Sequence, residues 1–334
     1  MINGSQCTIV FYVDNNKISH VDEDVVTNVI NDISKHFGEL TVSRGKKHDF
    51  LGMDIEIKDR KVFISMKNQI AEAIEWGATQ SGRKPVTPVT NDLFLKTDQA
   101  EDLSIERSDN FHSIVQKLLY ICKRGRPDIE PALSYLCTRV SNPTVEDEKK
   151  LFRVLDYLTN TLDDVRIIGA SSLDNLYMWI DASYTTHPNM RSHMGGAMSF
   201  GTGIIHGKSS KQKLNTKSST EAELVVVSDY IPYHVWIINF LRHQGYEIKN
   251  KILYQDNESA IKMEVNGRNS CTGNSRHIDI RYFFIHDRIK SGNLDVVYCP
   301  TEKMLADFFT KPLQGKIFKN FRSAIMGHEE QKVI

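Results

Sequence analysis

Four acidic residues in the second half of the chain fall where carboxylates can do chemistry: Asp181, Glu223, Asp256 and Asp307. Asp181 ends a run, Leu173 to Ile180, that reads as a strand, and Glu223 sits in the first turn of a long helix. Asp256 ends a second strand run, Lys251 to Gln255, and Asp307 lies on a terminal helix. Strand ends and helix starts on one edge of a sheet converge, so the four side chains could share a pocket. Carboxylates that close repel one another unless cations neutralise them, and hard Mg²⁺ prefers oxygen ligands of this kind. Two such ions about 4 Å apart can activate a water and stabilise a leaving oxygen in phosphodiester cleavage. One acid at a strand end is usually a turn residue. Four in this order weaken that reading.

The elements that must position these acids show as patterns. Gly195 to Phe200 and Ile204 to Ser209 complete three short strands, and Thr220-x-x-Glu223 reads as a capping box opening a helix that reaches Arg242. Asn257 starts another helix, His277 to Lys290 is helical, Leu294 to Cys299 is a strand, and Thr301 caps a helix through Phe309. The order from residue 173 is βββ-α-β-α-α-β-α. In the first half, Cys7 to Val13, a turn at Asp14 to Lys17, and Ile18 to Val21 give a hairpin signal. Val25 to Phe37 carries a helical apolar stripe that stops at Gly38. Asp49 to Lys58 and Lys61 to Met66 read as two strands, with a helix after them to Trp76. Residues 80 to 107 read as a flexible linker. Helices are expected at Asp109 to Lys123, Glu130 to Val140 and Val145 to Thr159.

The 334 residues suffice for two domains. With 40% hydrophobic and 25% charged residues, the composition excludes disordered, collagen-like and disulfide-scaffold chains. Lys and Arg total 42 and so do Asp and Glu, so any footprint for nucleic acid must be local. The five cysteines are scattered without a C-x-x-C pair, which fits a reducing compartment. No secretory signal is read at the N-terminus. The most apolar stretch, Leu224 to Leu241, is broken by Ser228, Asp229, Pro232 and His234 and reads as too polar to span a bilayer.

Several words in the second half go further: Trp179-Ile-Asp-Ala-Ser-Tyr184, Met190-Arg-Ser-His-Met-Gly-Gly196, Lys211 to Leu224, Tyr254-Gln-Asp-Asn-Glu-Ser-Ala260, Arg276-His-Ile-Asp-Ile-Arg-Tyr282 and Leu305-Ala-Asp-Phe-Phe-Thr-Lys-Pro-Leu313. Through them, residues 173 to 325 resemble the ribonuclease H domain of copia-type LTR retrotransposon Pol polyproteins. The resemblance implies that Asp181, Glu223, Asp256 and Asp307 are the catalytic and metal-binding acids. The family pattern and the capping-box spacing favour Glu223 over its neighbour Glu221. Many family members carry Asp where Ser183 stands. The first half resembles the C-terminal part of the same family's reverse transcriptase. Phe11-Tyr-Val-Asp-Asn15 matches the palm hairpin, and Phe37-Gly-Glu-Leu40 and Phe50-Leu-Gly-Met53 match the segment after it. Ser113 to Tyr120, Arg126-Pro-Asp128 and Asn142-Pro-Thr144 match thumb and connection helices. The motif Tyr12-Val13-Asp14-Asn15 is degenerate: Asn15 stands where the family has a second Asp. The fingers and the palm segment with the other metal-binding Asp should precede this hairpin, so the chain alone is expected not to polymerise DNA.

The resemblance implies a mixed α/β chain in three parts: a truncated palm, thumb and connection region over 1–165, a ribonuclease H-like domain over 170–325, and a tail over 326–334. The second part should be a five-stranded mixed sheet with three antiparallel leading strands and flanking helices. The implied activity is endonucleolytic cleavage of RNA in an RNA–DNA hybrid, with two Mg²⁺ ions as cofactor and Mn²⁺ as a substitute. The alternatives are an inactive retroelement remnant that binds nucleic acid, and a transposase or integrase of the same fold. Partners would be the hybrid and the rest of a polyprotein, with no membrane. The expected location is the cytoplasm, virus-like particles or the nucleus. Between Asp181 and Glu221 there is no acid, while Arg191, Lys208, Lys211, Lys213 and Lys217 are all basic. That stretch is a phosphate track or a solvated hairpin, and the sequence leaves both open. Lys311, Lys316, Lys319 and Arg322 are a weaker candidate track, with solvated surface the favoured reading; His277 and His286 could aid product release or proton transfer near a metal, with packing or surface placement favoured.

Overall fold

The computed structural model describes residues 1–77, 83–96, 100–267, 284–292 and 294–329. The motif Arg276 to Tyr282, with His277, lies outside the described residues. The N-terminal hairpin signal forms β1 (Thr8–Tyr12) and β2 (Asn15–Ser19), paired antiparallel with Tyr12 opposite Asn15. Its turn is Val13–Asp14, shorter and one residue earlier than the expected Asp14 to Lys17. Val13 adopts φ 54°, the left-handed setting that two-residue hairpin turns use to match strand twist. Helix α1 (Glu23–Phe37) is capped by the Asp22 side chain, and the Gly38 N–H donates to the Ser34 carbonyl at its end. The expected strand over 49–58 is a hairpin, β3 (Lys47–Phe50) and β4 (Met53–Lys58), because Leu51 and Gly52 both take positive φ. Strand β5 (Lys61–Ser65) and helix α2 (Lys67–Trp76) follow as expected.

The stretch read as a flexible linker is tied to the core at several points. Val89, Leu93, Phe94 and Leu103 are buried in the core, and the Lys150 ammonium donates to the carbonyls of Leu93 and Leu95 at 2.9 Å. Its apolar side chains outweigh its turn-forming ones. Helices α3 (Ile105–Arg124), α4 (Glu130–Cys137) and α5 (Val145–Asn160) pack against it. Strand β6 (Arg166–Ala170) had no signal of its own. It lies beside β5 and, on its other side, β9 (Gly201–Thr202), which completes an antiparallel sheet in the order β3-β4-β5-β6-β9. This sheet crosses the expected boundary after residue 165.

The second five-stranded sheet holds the acids. Its strands are β7 (Asn175–Ser183), β8 (His193–Ser199), β10 (His206–Lys211), β11 (Asn250–Gln255) and β12 (Asp295–Tyr298), in the order β10-β8-β7-β11-β12. The first three are antiparallel neighbours, and β11 runs parallel to both β7 and β12. The expected mixed sheet with antiparallel leading strands is therefore present, and this is the ribonuclease H-like strand order. Helix α6 (Ser219–His243) covers one face, joined by α7 (Glu258–Asn266) and α8 (284–290). Among the described residues α6 is the helix long and apolar enough to cross a bilayer. Its apolar side serves the core instead: Leu224, Val226, Val227 and Ile231 pack with Met178, Ile180 and Leu253. The expected terminal helix from Thr301 breaks into a short tight turn at Thr301–Lys303 and α9 (Asp307–Thr310), and α10 (Gly315–Met326) follows without having been expected. The largest apolar cluster is continuous through both halves. Met66, Leu118, Leu133 and Val154 share it with Trp179, Ala197, Tyr254, Phe309 and Ile325.

Candidate active site

Strands β7 and β11 lie side by side in the middle of the sheet, with Tyr254 opposite Trp179. Asp181 is near the end of the first and Asp256 directly follows the second. Asp307 opens α9, and two glycines explain how that helix reaches the sheet. Gly195 is the β8 partner of Asp181. A Cβ there would stand 2.7 Å from Thr310 Cγ2 and 2.8 Å from both the Ala306 carbonyl oxygen and Phe309 Cβ, so α9 can settle only on a bare backbone. On the other face, Gly196 leaves room for the Tyr230 ring of α6, whose Cε2 would be 2.3 Å from an added Cβ.

One carboxylate oxygen from each of Asp181, Asp256 and Asp307 lies within 4.8 Å of the other two. Asp181 and Asp307 are buried and Asp256 is half-buried. Glu223, also buried, is tied to the sequence neighbours of the other acids: Oε1 accepts from the Ala182 N–H at 3.1 Å, and Oε2 from Gln255 Nε2 at 3.4 Å. Three of the four expected acids thus form one cluster, with Glu223 held beside it. Burial together with the charges of Asp181 and Asp256 pushes the Glu223 carboxyl well above its usual range. Burial and Asp181 raise Asp256 as well, and they push Asp307 up to about 7 against the opposing pull of Lys311.

Two further residues belong to this site. The Thr310 hydroxyl donates to Asp181 Oδ2. The Lys311 ammonium stands 2.6 Å from Asp307 Oδ1 and 3.8 Å from Asp181 Oδ2. Burial disfavours its charge, but the carboxylates prevail and its pKa is raised. Lys311, expected on solvated surface, therefore serves the cluster as an internal cation. The signal was in the spacing, since residues three and four after Asp307 share its helical face.

The start of α6 also differs from expectation. Ser218 is the cap, accepting from the Glu221 N–H at 3.1 Å, and the Glu221 carboxylate receives the Lys217 N–H at 2.6 Å. Ser218 and Glu221 thus serve the helix start, and Glu223 is left to face the acids. The capping argument given for Glu223 therefore belongs to Ser218 and Glu221, while Glu223 lies beside the acid cluster.

The pleat divides the expected basic track. Lys211 lies on the Asp181 face of the sheet, while Lys208 faces α6, with its ammonium 4.9 Å from the centre of the Tyr233 ring. Lys213 and Lys217 are exposed in the loop after β10, and Arg191 is half-buried before β8. His286 lies in α8 against Gly267. Tyr12, Val13, Asp14 and Asn15 sit at an exposed hairpin tip, and no group of three metal-ligating side chains among the described residues includes Asp14.

The sheet order and the acid cluster define a protein with a ribonuclease H-like fold. Homologues of the chain are Ty1/copia-type Pol polyproteins of transposons. It is 27% identical over 328 residues to the retrovirus-related Pol polyprotein from transposon TNT 1-94 of Nicotiana tabacum, which covers 96% of the chain and 24% of that relative. It is 26% identical over 340 residues to the transposon Ty1-LR3 Gag-Pol polyprotein of Saccharomyces cerevisiae, covering 96% of the chain and 19% of the relative. The chain thus spans a quarter or less of the curated relatives it matches. Among solved structures, the foamy viral protease-reverse transcriptase in complex with RNA/DNA hybrid shares the fold over 90% of this chain and 36% of its own, with a TM-score of 0.51 at 13% identity. No family model matches.

Proposed function

We propose that this chain is a divalent-metal-dependent endonuclease that cuts the RNA strand of an RNA–DNA hybrid. The observation that carries this reading is the cluster of Asp181, Asp256 and Asp307 at the middle of a ribonuclease H-like sheet, with Glu223 beside it. The residues fit a cation. Their oxygens lie close enough to share one, and an ammonium already stands among them. These four acids would hold Mg²⁺, two ions in the reading we favour, and Mn²⁺ suits the same oxygens. Bound there, the metal would lower the pKa of an attacking water and stabilise charge on the leaving 3′ oxygen. The chain itself supplies the frame: Thr310 fixes Asp181, Ala182 and Gln255 fix Glu223, and Lys311 holds Asp307. The hybrid as substrate is supported by the retroelement homologues and by the nucleic acid in the foamy viral structure. Contacts to 2′-hydroxyls would tell RNA from DNA. The hairpin tip offers one carboxylate, Asp14 beside Asn15, so we expect no DNA synthesis.

The test is a hybrid with end-labelled RNA, incubated with purified protein and Mg²⁺ beside an Asp256→Asn control. Cleavage by the parent alone, stopped by a chelator, is expected. Binding without cleavage would replace the enzyme reading with a remnant that only holds nucleic acid.

A further inference from the structure

Behind α9, on the same face as Asp181, runs a buried line of side chains that the chemistry above does not use. His187 Nε2 is 2.9 Å from His193 Nδ1, and His193 Nε2 is 2.8 Å from Ser209 Oγ. Ser209 Oγ is 2.7 Å from the carbonyl oxygen of Phe309, inside the short helix between Asp307 and Thr310. His187 is 5% exposed, His193 0% and Ser209 7%.

Proton counting gives this line one direction. The Phe309 carbonyl can only accept, so the single hydroxyl proton of Ser209 goes to it. Ser209 then accepts from His193 Nε2–H, which leaves His193 Nδ1 as the acceptor of His187 Nε2–H. His193 must be neutral for this, since its Nδ1 accepts, and burial, the main cause, holds its pKa at about 3; His187 only donates, and burial likewise holds it at about 4. The line is also gripped from the first half of the chain. The Ser209 N–H donates to Glu130 Oε1 at 3.0 Å, with Lys123 on the same carboxylate. The Phe94 ring lies edge-on to His187 at 5.2 Å and against His193 at 4.8 Å.

We propose that His187, His193 and Ser209 are positioning residues for the helix that carries Asp307, and that through them Phe94 and Glu130 make the first half of the chain part of the nuclease site. The inference rests on the metal-site reading above. None of the three touches the acids. They act on the carbonyl of Phe309, in a four-residue helix that is otherwise held by the packing of Phe308 and Phe309 and by the bond from Thr310 to Asp181. Partners that orient metal ligands from outside the first layer are commonly worth about 10–100-fold in metal affinity or activity.

The experiment uses the full chain and the variants His193→Leu, His193→Gln and Ser209→Ala. Mn²⁺ binding is measured by calorimetry without nucleic acid, and hybrid cleavage is measured separately. His193→Leu should weaken Mn²⁺ binding about tenfold or more and lower kcat by a similar factor, with KM for the hybrid little changed. His193→Gln keeps a donor for Ser209 and should recover most of the loss. Ser209→Ala cuts the last link without touching either ring, and decides the matter if His193→Leu does not fold. A loss of melting temperature alone, with Mn²⁺ affinity and kcat at parent values, would reduce the line to core packing and overturn the proposal. Should the parent bind Mn²⁺ and cleave no hybrid, the enzyme reading fails, while the shift in metal affinity still decides the positioning role.

Discussion

Asp307 is held where its own charge is unfavourable, and this can be read from stability. Its carboxyl is pushed up to about 7 by burial and by Asp181, against an ordinary value of 3.8. The folded protein therefore keeps a proton that the unfolded chain gives up between these two values. The penalty is absent below pH 3.8, grows as pH rises through that window, and is complete above 7. Asp307→Asn removes it, so at pH 8 with chelator the variant should be the more stable by about 1–3 kcal/mol, and the gain should fade toward pH 4. Equal melting at pH 8 would show that Lys311 already cancels the repulsion. Lys311 tests the same balance from the other side. Its side chain is 37% exposed, between a surface and a buried pair, so Lys311→Met should cost about 2 kcal/mol without metal. Divalent metal should then raise the melting temperature of this variant more than that of the parent, because the competing cation is gone. An unchanged metal response would mean that Lys311 stays in place when metal binds.

Helix α6 separates what its residues announce from what they do. Both Ser218-x-x-Glu221 and Thr220-x-x-Glu223 have cap spacing, and pattern alone cannot choose between them. The sheet chooses, by placing Ala182 and Gln255 where they bond Glu223. Ser218→Ala should therefore cost about 1 kcal/mol, and Thr220→Ala almost nothing. Thermal melts of the two variants check this, and the reverse order would restore the cap at Thr220. The same division holds elsewhere. The strands of the acid-bearing sheet and most helices were legible because their apolar periodicity is local. The break between β3 and β4 was missed because Leu51 and Gly52 take positive φ inside an otherwise continuous run. Strands β6 and β9 were missed because their pairing partners are remote in sequence. The four acids could be named from motif and order, whereas Thr310 and the line from His187 to Ser209 depend on side chains meeting across elements.

The two halves share one core, and we expect them to unfold as a single cooperative unit. The apolar cluster from Met66 to Leu158 continues into Trp179, Tyr254 and Phe309, and β6 joins β5 to β9 across the expected boundary. Ionic contacts repeat the pattern. Asp128, fully buried, receives both Arg126 at 2.9 Å and Arg322 of α10 at 3.0 Å, and the Tyr157 hydroxyl donates to it at 2.6 Å. Burial opposes its charge, but the two guanidiniums prevail and hold its pKa well below the carboxylate range. Arg322 comes from the second half of the chain and Asp128 from the first. Arg322→Met should therefore cost about 2 kcal/mol, since it strips one partner from a buried charge that keeps Arg126 and Tyr157. Two independent halves would respond with a split melt, in which one transition moves and the other stays. A single unit must respond as a whole: calorimetry should show one transition in the parent and one, shifted downward, in Arg322→Met. A fragment of residues 166–329 should then fail to give a cooperative melt, because Ala197, Tyr254 and Phe309 lose the side chains that bury them. A sharp transition in that fragment, with Mn²⁺ affinity equal to the full chain, would show that the acids need nothing from the first half.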